Sequence, residues 1–133
     1  MPVAGQWIEN IRGLQDEQMT TLSVVPAYIP SRDTMSSIVD VTSGTVVGIV
    51  MPTQNWTPAN VTVQGSPDGV NFYDLHDGMP DTEVLFNVVP GALVAVNPNR
   101  LRSCSKIILR SGTRDAPIMQ EQTSAFGVII EVE

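Results

Sequence analysis

The stretch NWTPANVTVQGSPDGVNFYDL, residues 55–75, decides the fold because it holds two alternating apolar and polar segments joined by a turn. Val61 and Val63 alternate with polar residues, and a similar alternation resumes after the turn. Successive side chains of a strand point to opposite faces, so a period of two predicts β-strands. Asp68 and Gly69 supply the positive φ angles that a tight hairpin turn needs. The stretch therefore predicts a β-hairpin.

From residue 36 onward, the chain reads as short strands separated by turn signals, at the spacing typical of a β-sandwich. The predicted strands cover residues 37–41, 45–50, 61–64, 70–74, 83–88, 93–96, 106–110 and 126–132. These eight strands predict an all-β, antiparallel β-sandwich over residues 35–133, with either jelly-roll or galactose-binding-like connectivity. The predicted core consists of Ile38, Val47, Ile49, Val61, Val63, Phe72, Leu75, Leu93, Val96, Ile107, Leu109, Val128 and Ile130.

Residues 1–34 differ in character from the rest and are predicted to form an N-terminal arm. Trp7, Ile11 and Leu14 recur at helical spacing, which predicts a short helix over about residues 6–18. The arm is thus distinct from the strands that follow it.

The second half of the arm reads as an edge strand at residues 22–25, followed by an irregular segment that prolines interrupt. The apolar side chains expected to make contacts with a partner are Trp7, Ile8, Tyr28 and Ile29. The sequence leaves open whether the arm folds back over its own sandwich or lies across a neighbouring subunit.

Length and composition limit the classes of function. A chain of 133 residues fits one domain that buries roughly two thirds of its unfolded surface. The net charge of −7, without any cluster of Lys or Arg, argues against nucleic acid as a partner. No apolar run approaches the ~18 residues of a membrane span, and the first residues do not resemble a secretory signal. We therefore expect synthesis and folding in the cytoplasm, without a membrane partner.

Residues suited to catalysis or metal binding are sparse. His76 is the one histidine, and it stands with Asp74 and Asp77 in a polar segment that favours solvated loop residues over a metal or catalytic site. Cys104, the one cysteine, excludes an intrachain disulfide and is expected to be a small buried residue rather than a nucleophile. We expect no enzyme activity, no cofactor and no metal.

One set of residues suggests a ligand site. Trp56, Tyr73 and Arg110 combine aromatic rings with a planar, bidentate donor, and sugars are bound by such groups. The set therefore suggests a glycan site. The competing interpretation is that Trp56 packs against the base of the hairpin while the arginines pair with the surplus of acidic residues.

Two segments carry a resemblance to known proteins: WTPANVTVQGSPDG at 56–69, and LRSGT at 109–113 followed by Pro117 and Gln120. Together they resemble structural proteins of tailed bacteriophages, over residues 36–132. The turn with Ser66, Asp68 and Gly69, followed by Phe72, also looks like that of the discoidin or galactose-binding sandwich.

The resemblance implies a non-enzymatic virion component, either a capsid decoration (cement) protein or a small tail or neck accessory protein. It implies contacts with the major capsid protein or other virion proteins, and a homo-oligomer, with a trimer favoured. The capsid surface is the favoured location, and the N-terminal arm is the expected contact region. The alternative function is a carbohydrate-binding module that recognises a glycan of the host surface.

Overall fold

The structure is a computed structural model that describes residues 21–78 and 82–132. These residues form β-strands and no helix, which confirms the predicted all-β class. The helix expected near residues 6–18, with Trp7 and Ile8, lies outside the described residues. In chain order the strands are β1 (Thr21–Ile29), β2 (Val39–Asp40), β3 (Thr45–Val50), β4 (Val61–Ser66), β5 (Tyr73–Asp74), β6 (His76–Asp77), β7 (Thr82–Glu83), β8 (Leu85–Phe86), β9 (Leu93–Ala95), β10 (Lys106–Ser111) and β11 (Ser124–Val132).

Two antiparallel sheets account for most of these strands. The first has the order β1-β11-β3-β9, and the second has the order β2-β10-β4-β5, with β8 also paired to β4. The short strands β6 and β7 pair with each other. Buried side chains from both main sheets form one hydrophobic cluster. This arrangement is that of a β-sandwich, in which two inner faces share a core.

The first strand belongs to the sandwich rather than to an arm. All nine residues of β1 pair with β11, from Thr21 opposite Val132 to Ile29 opposite Ser124. The edge strand predicted at 22–25 is therefore present and longer than expected. The sequence assigned these residues to the arm because the pairing partner of β1 is the last strand of the chain, which local patterns do not reveal.

Much of the predicted core is confirmed. Its buried members are Ile49, Val61, Val63, Val96, Ile107, Leu109, Val128 and Ile130. Ile38 and Leu93 are instead 57% and 66% exposed, so these two predictions are wrong. In the short strand β2, Val39 points into the core and Asp40 points outward. This alternation is one residue out of step with the predicted one, which placed Ile38 in the core. Phe72 and Leu75 are half-buried.

A bulge in β3 explains the remaining error in the predicted core. Ile129 pairs with Gly48 while the next residue, Ile130, pairs with Val46. Val47 is therefore an extra residue in the ladder, and the side-chain alternation shifts by one position there. As a result Val46 is fully buried, whereas Val47, predicted as core, is half-buried.

The predicted hairpin exists, but its turn is built differently. Gly69 has a φ of 80°, whereas Asp68 does not have a positive φ. The Asp68 carboxylate accepts hydrogen bonds from the backbone N–H groups of Val70 and Asn71, at 2.9 and 2.8 Å. Ser66 Oγ accepts a further bond from the N–H of Gly69 at 2.8 Å. Side-chain hydrogen bonds thus hold residues 66–71 in a loop. The second strand of the hairpin, predicted at residues 70–74, is therefore only β5, Tyr73–Asp74.

Candidate functional site

Trp56, the proposed sugar platform, is a core residue. Its side chain is only 8% exposed, and its ring packs edge-on against Phe126 of β11, with the centroids 5.4 Å apart. Its indole Nε1 finds no acceptor among the described residues. A sugar stacks on the open face of a ring, and a ring buried in this way offers none. This position fits the competing interpretation, in which Trp56 packs against the sandwich.

A buried glutamine holds the segment that carries Trp56. The Gln120 side chain accepts a hydrogen bond from the N–H of Thr57 at 2.8 Å and donates one to the carbonyl oxygen of Thr57 at 2.9 Å. It also donates to Ser111 Oγ at 2.8 Å. Gln120 thereby joins the loop after Trp56 to the end of β10. The segments 56–69 and 109–120, which carry the resemblance, are therefore joined by the side-chain hydrogen bonds of Gln120. Sequence alone does not indicate these bonds.

Arg110 of β10 lies at the centre of a charged cluster on the side of its sheet away from the core. Its side chain is 6% exposed and pairs with Asp74 of β5, with Nη1 and Oδ1 2.8 Å apart. Its Nη2 pairs with the carboxylate of Glu83, which also accepts a bond from the backbone N–H of Arg114. Its Nε donates to Thr62 Oγ1 at 3.0 Å. We call Arg110, Asp74, Glu83 and Thr62 the Arg110 cluster.

The electrostatics of this cluster favour the charged state of Asp74. Burial acts to raise the pKa of Asp74, but hydrogen bonds from Arg110 and Gln64, together with the positive charge of Arg110, outweigh it and lower the pKa. The guanidinium of Arg110 thus has a carboxylate on each of its terminal nitrogens. Its donors are engaged within the protein, so the side chain is not arranged to clamp an external ligand.

The three residues of the proposed glycan site do not form one exposed surface. Tyr73 is 60% exposed on β5, whereas Trp56 and Arg110 are buried in different environments. The competing sequence interpretation describes Arg110 better, because it pairs with surplus acids. The same holds for Arg100, which pairs with Asp77 at 3.6 Å.

The other candidate residues for catalysis or metal binding are Asp74, His76, Asp77 and Cys104. Asp74 belongs to the Arg110 cluster, and His76 and Asp77 form the short strand β6, not a loop as predicted. Cys104 is half-buried, and desolvation raises the pKa of its thiol, which disfavours the thiolate. Within residues 21–78 and 82–132, no three His, Cys, Asp or Glu side chains are grouped as metal ligands would be.

Apolar side chains lie on the outer side of the four-stranded sheet, and they come from all four strands. We call this surface the outer apolar face, and it comprises Leu22, Val24 and Tyr28 of β1, Ile129 of β11, Val50 of β3 and Leu93 of β9. Most of these side chains are 40–66% exposed. Soluble monomers rarely expose large contiguous apolar patches, and such patches mark interaction surfaces.

Glycines bring these side chains together. At Gly127 of β11, Val24 Cγ1 lies 2.8 Å and Val50 Cβ 3.4 Å from the position that a Cβ atom would take. Val24 and Val50 therefore both lie close to the backbone of Gly127, on the strand between them. Side chains of β11 and β9 cover Gly48 of β3 in the same way, with their nearest atoms at 3.3 and 3.5 Å. Neighbouring apolar side chains therefore fill the space over both glycines.

The other main sheet differs in chemistry on its corresponding side. There, the residues of β10 and β4 that point away from the core are Lys106, Ile108, Arg110, Thr62, Gln64 and Ser66. One of these six is apolar, and several form hydrogen bonds to one another or to loops. The sandwich therefore has one polar outer side and one apolar outer side. The sequence did not predict this contrast, because the contrast depends on which strands share a sheet.

Tyr28 and Ile29, the two described residues of the predicted contact region, differ in exposure. Tyr28 is 48% exposed and belongs to the outer apolar face. Ile29 is fully buried in the core, so its prediction as a partner contact is wrong. The two residues differ because alternate positions of β1 point to opposite sides of the sheet.

Comparisons with protein-family models, curated proteins and solved structures found no match to this chain. Within the described part of the chain, no helix is long and apolar enough to cross a membrane.

Proposed function

We propose that this chain is a non-enzymatic structural protein of a tailed-bacteriophage virion, which decorates the capsid by protein–protein contacts. The observation that carries the proposal is the outer apolar face, to which all four strands of one sheet contribute. Its side chains gain free energy when a protein surface excludes water from them.

The shape and chemistry of this face suit a protein partner. It lacks the convergent polar groups of a small-molecule pocket, whereas the core of a protein interface is apolar and poor in charge. We propose the major capsid protein as the partner, with other virion proteins as the alternative. A homotrimer placed on a symmetric lattice would repeat each weak contact several times, and repeated contacts sum to stable attachment.

The test is binding to particles of the encoding phage assembled without this protein. The variant Val24→Asp places a charge on the outer apolar face, where Val24 is 60% exposed. We expect it to reduce attachment by at least tenfold, because the charge would have to be desolvated at the interface. The matched control is Val70→Asp, since Val70 is 78% exposed but lies in the hairpin loop of the other sheet.

Equal attachment of Val24→Asp and the unaltered protein would refute the proposed surface. Quantitative mass spectrometry of purified virions tests the location independently. Hundreds of copies per particle would support the capsid, whereas a few tens would favour the tail or neck. Absence from the particle would refute the virion assignment itself.

A further inference from the structure

The free edge of β1 borders the outer apolar face. β1 is the first strand in the order of its sheet, so one of its two sides pairs with β11 and the other does not. At Tyr28 this second side is covered, because the N–H of Ser37 donates to the carbonyl oxygen of Tyr28 at 2.9 Å and the N–H of Tyr28 donates to Ser37 Oγ at 3.3 Å. The backbone N–H and C=O groups of Tyr28 therefore point away from β11.

Alternate residues before Tyr28 direct their backbone groups to the same side, because these groups alternate along a strand. They are Pro26, Val24 and Leu22. Leu22 and Val24 each offer an N–H and a C=O there, whereas Pro26 offers a C=O alone. Within residues 21–78 and 82–132, none of these groups has a hydrogen-bond partner, and Leu22 and Val24 are 62% and 60% exposed. The backbone of this part of β1 is therefore an open strand edge.

This edge lacks most of the features that keep edge strands from pairing. Proteins protect such strands with charged side chains, with prolines or by making the strand short. Residues 21–29 contain no charged side chain, and Pro26 is their one proline. β9, the opposite edge of the same sheet, has only the three residues Leu93–Ala95. The longer, uncharged edge of β1 is thus the one suited to pair with a further strand.

We propose that the virion partner adds an extended segment of its own chain to the edge of β1, opposite Leu22 and Val24. This inference rests on the proposed function and specifies how the partner binds. Backbone hydrogen bonds to Leu22 and Val24 hold the segment, as in other complexes formed by strand addition. The side chains on one side of the segment then continue the outer apolar face beyond Val24. Attachment thereby combines backbone hydrogen bonding with the burial of apolar surface.

The neighbours of the edge define the chemistry of the segment. Glu131 of β11 lies opposite Leu22, and it points to the outer side of the sheet because Ile130 points into the core. A partner residue opposite Leu22 lies about 10 Å from Glu131, at about 4.8 Å for each strand spacing, and a Lys or Arg side chain can span that distance. The net charge of −7 also favours a basic segment. We therefore expect an alternating apolar segment that carries Lys or Arg.

A second copy of this chain fits the edge less well. Two β1 strands paired antiparallel around Val24 would place each Leu22 opposite Pro26 of the other copy. Because proline has no N–H, the carbonyl oxygen of each Leu22 would lack a donor. The uncharged β1 would also bring no cation near Glu131. A basic segment that pairs with Leu22 and Val24 alone avoids both disadvantages.

The experiment compares two substitutions of Val24 in attachment to particles of the encoding phage assembled without this protein. Val24→Pro removes the N–H at the free edge but keeps the number of side-chain carbons, whereas Val24→Ala keeps the N–H and shortens the side chain. Strand addition predicts that Val24→Pro attaches at least tenfold more weakly than Val24→Ala, because a carbonyl oxygen of the partner loses its donor. Docking through side chains alone predicts the opposite order, and that order would overturn the inference.

Two further measurements guard against misfolding of Val24→Pro. Leu22→Pro and Leu22→Ala repeat the comparison at the start of the strand, where proline is tolerated, and urea denaturation checks that each variant is folded. Hydrogen exchange of the unaltered protein needs no substitution. The N–H groups of Leu22 and Val24 should exchange at least tenfold more slowly on particles than in the free protein. Unchanged exchange on particles would overturn the inference.

The outcomes separate the two proposals. Weak attachment of Val24→Asp together with equal attachment of Val24→Pro and Val24→Ala would refute strand addition and leave the proposed function standing. Failure of the unaltered protein to attach would refute both. Self-association of the free protein that Val24→Pro abolishes would identify a second copy as the strand partner and would also overturn the inference.

Discussion

Arg110 and Asp74 form an ion pair across the second sheet, with Nη1 and Oδ1 2.8 Å apart, although 36 positions separate them in sequence. Between β10 and β5 lies β4, whose residues pair with both strands. The guanidinium therefore reaches across β4, where its Nε bonds Thr62. The pair ties three strands together by their side chains, in addition to the backbone ladder.

Removal of this cation should destabilise the fold. The change Arg110→Met leaves Asp74 and Glu83 without their shared partner in a partly buried site. Breaking one side of a buried ion pair costs about 3 kcal/mol or more, because the remaining charges lose their compensation. We expect that loss in the free energy of unfolding measured by urea denaturation. The triple variant Arg110→Met, Asp74→Asn, Glu83→Gln removes both carboxylates as well and should recover at least half of the loss. Equal stability of Arg110→Met and the unaltered protein would contradict the role of the cluster.

The lowered pKa of Asp74 predicts a specific response to acid. Because the pKa of Asp74 in the folded state lies below the usual aspartate value of 3.8, the charged carboxylate contributes stability at pH values above about 4. This contribution is lost as the pH falls from about 4 through the folded-state pKa. We expect Asp74→Asn to show a shallower fall in the free energy of unfolding over that interval. Asp115→Asn, which alters a carboxylate 88% exposed, is the matched control and should follow the unaltered protein. A parallel acid response of Asp74→Asn and Asp115→Asn would count against this assignment.

The buried Gln120 should matter more than its exposed neighbour Gln122. Gln120→Ala removes the partners of both the N–H and the carbonyl group of Thr57 and leaves a small cavity. We expect a loss of about 2–3 kcal/mol in the free energy of unfolding. We also expect a shift in the fluorescence of Trp56, which precedes the released residue. Gln122→Ala should stay within about 0.5 kcal/mol of the unaltered protein. A similar effect of both substitutions would mean that Gln120 does not hold the loop.

Two glycines should respond differently to an added methyl group. Gly112 has a φ of 86°, and a Cβ there would lie 2.5 Å from the carbonyl oxygen of Ala116. Both features oppose a side chain, so Gly112→Ala should lower the free energy of unfolding by about 2 kcal/mol or more. Gly78 is exposed, and a Cβ there meets no described atom within 4 Å. Gly78→Ala should therefore be nearly neutral in thermal melting, and equal melting temperatures of the two variants would contradict the prediction.

Sequence reasoning located most strands because their signals are local. The apolar alternation at Val61 and Val63 and the turn at Gly69 depend on neighbouring residues alone, and both reappear in the structure. Errors occurred where the alternation changes phase. The bulge at Val47 and the inverted phase of β2 both depend on how a strand pairs with a partner that is distant in sequence.

Which residues form the candidate site and the outer apolar face depended almost wholly on tertiary structure. The sequence pointed to Trp56 and Arg110 by residue type, but residue type does not reveal that the one is buried against Phe126 and the other neutralised by two acids. The outer apolar face joins side chains from both ends of the chain, so no local window contains it.

The sequence by itself therefore determined the all-β class, the main strands and much of the core, because backbone periodicity and turn chemistry act over a few residues. Only the tertiary structure decided which strands share a sheet, which side of each sheet is apolar, and which charged groups meet. Those outcomes follow from long-range pairing, such as that of β1 with β11, in which residues about a hundred positions apart are brought into contact.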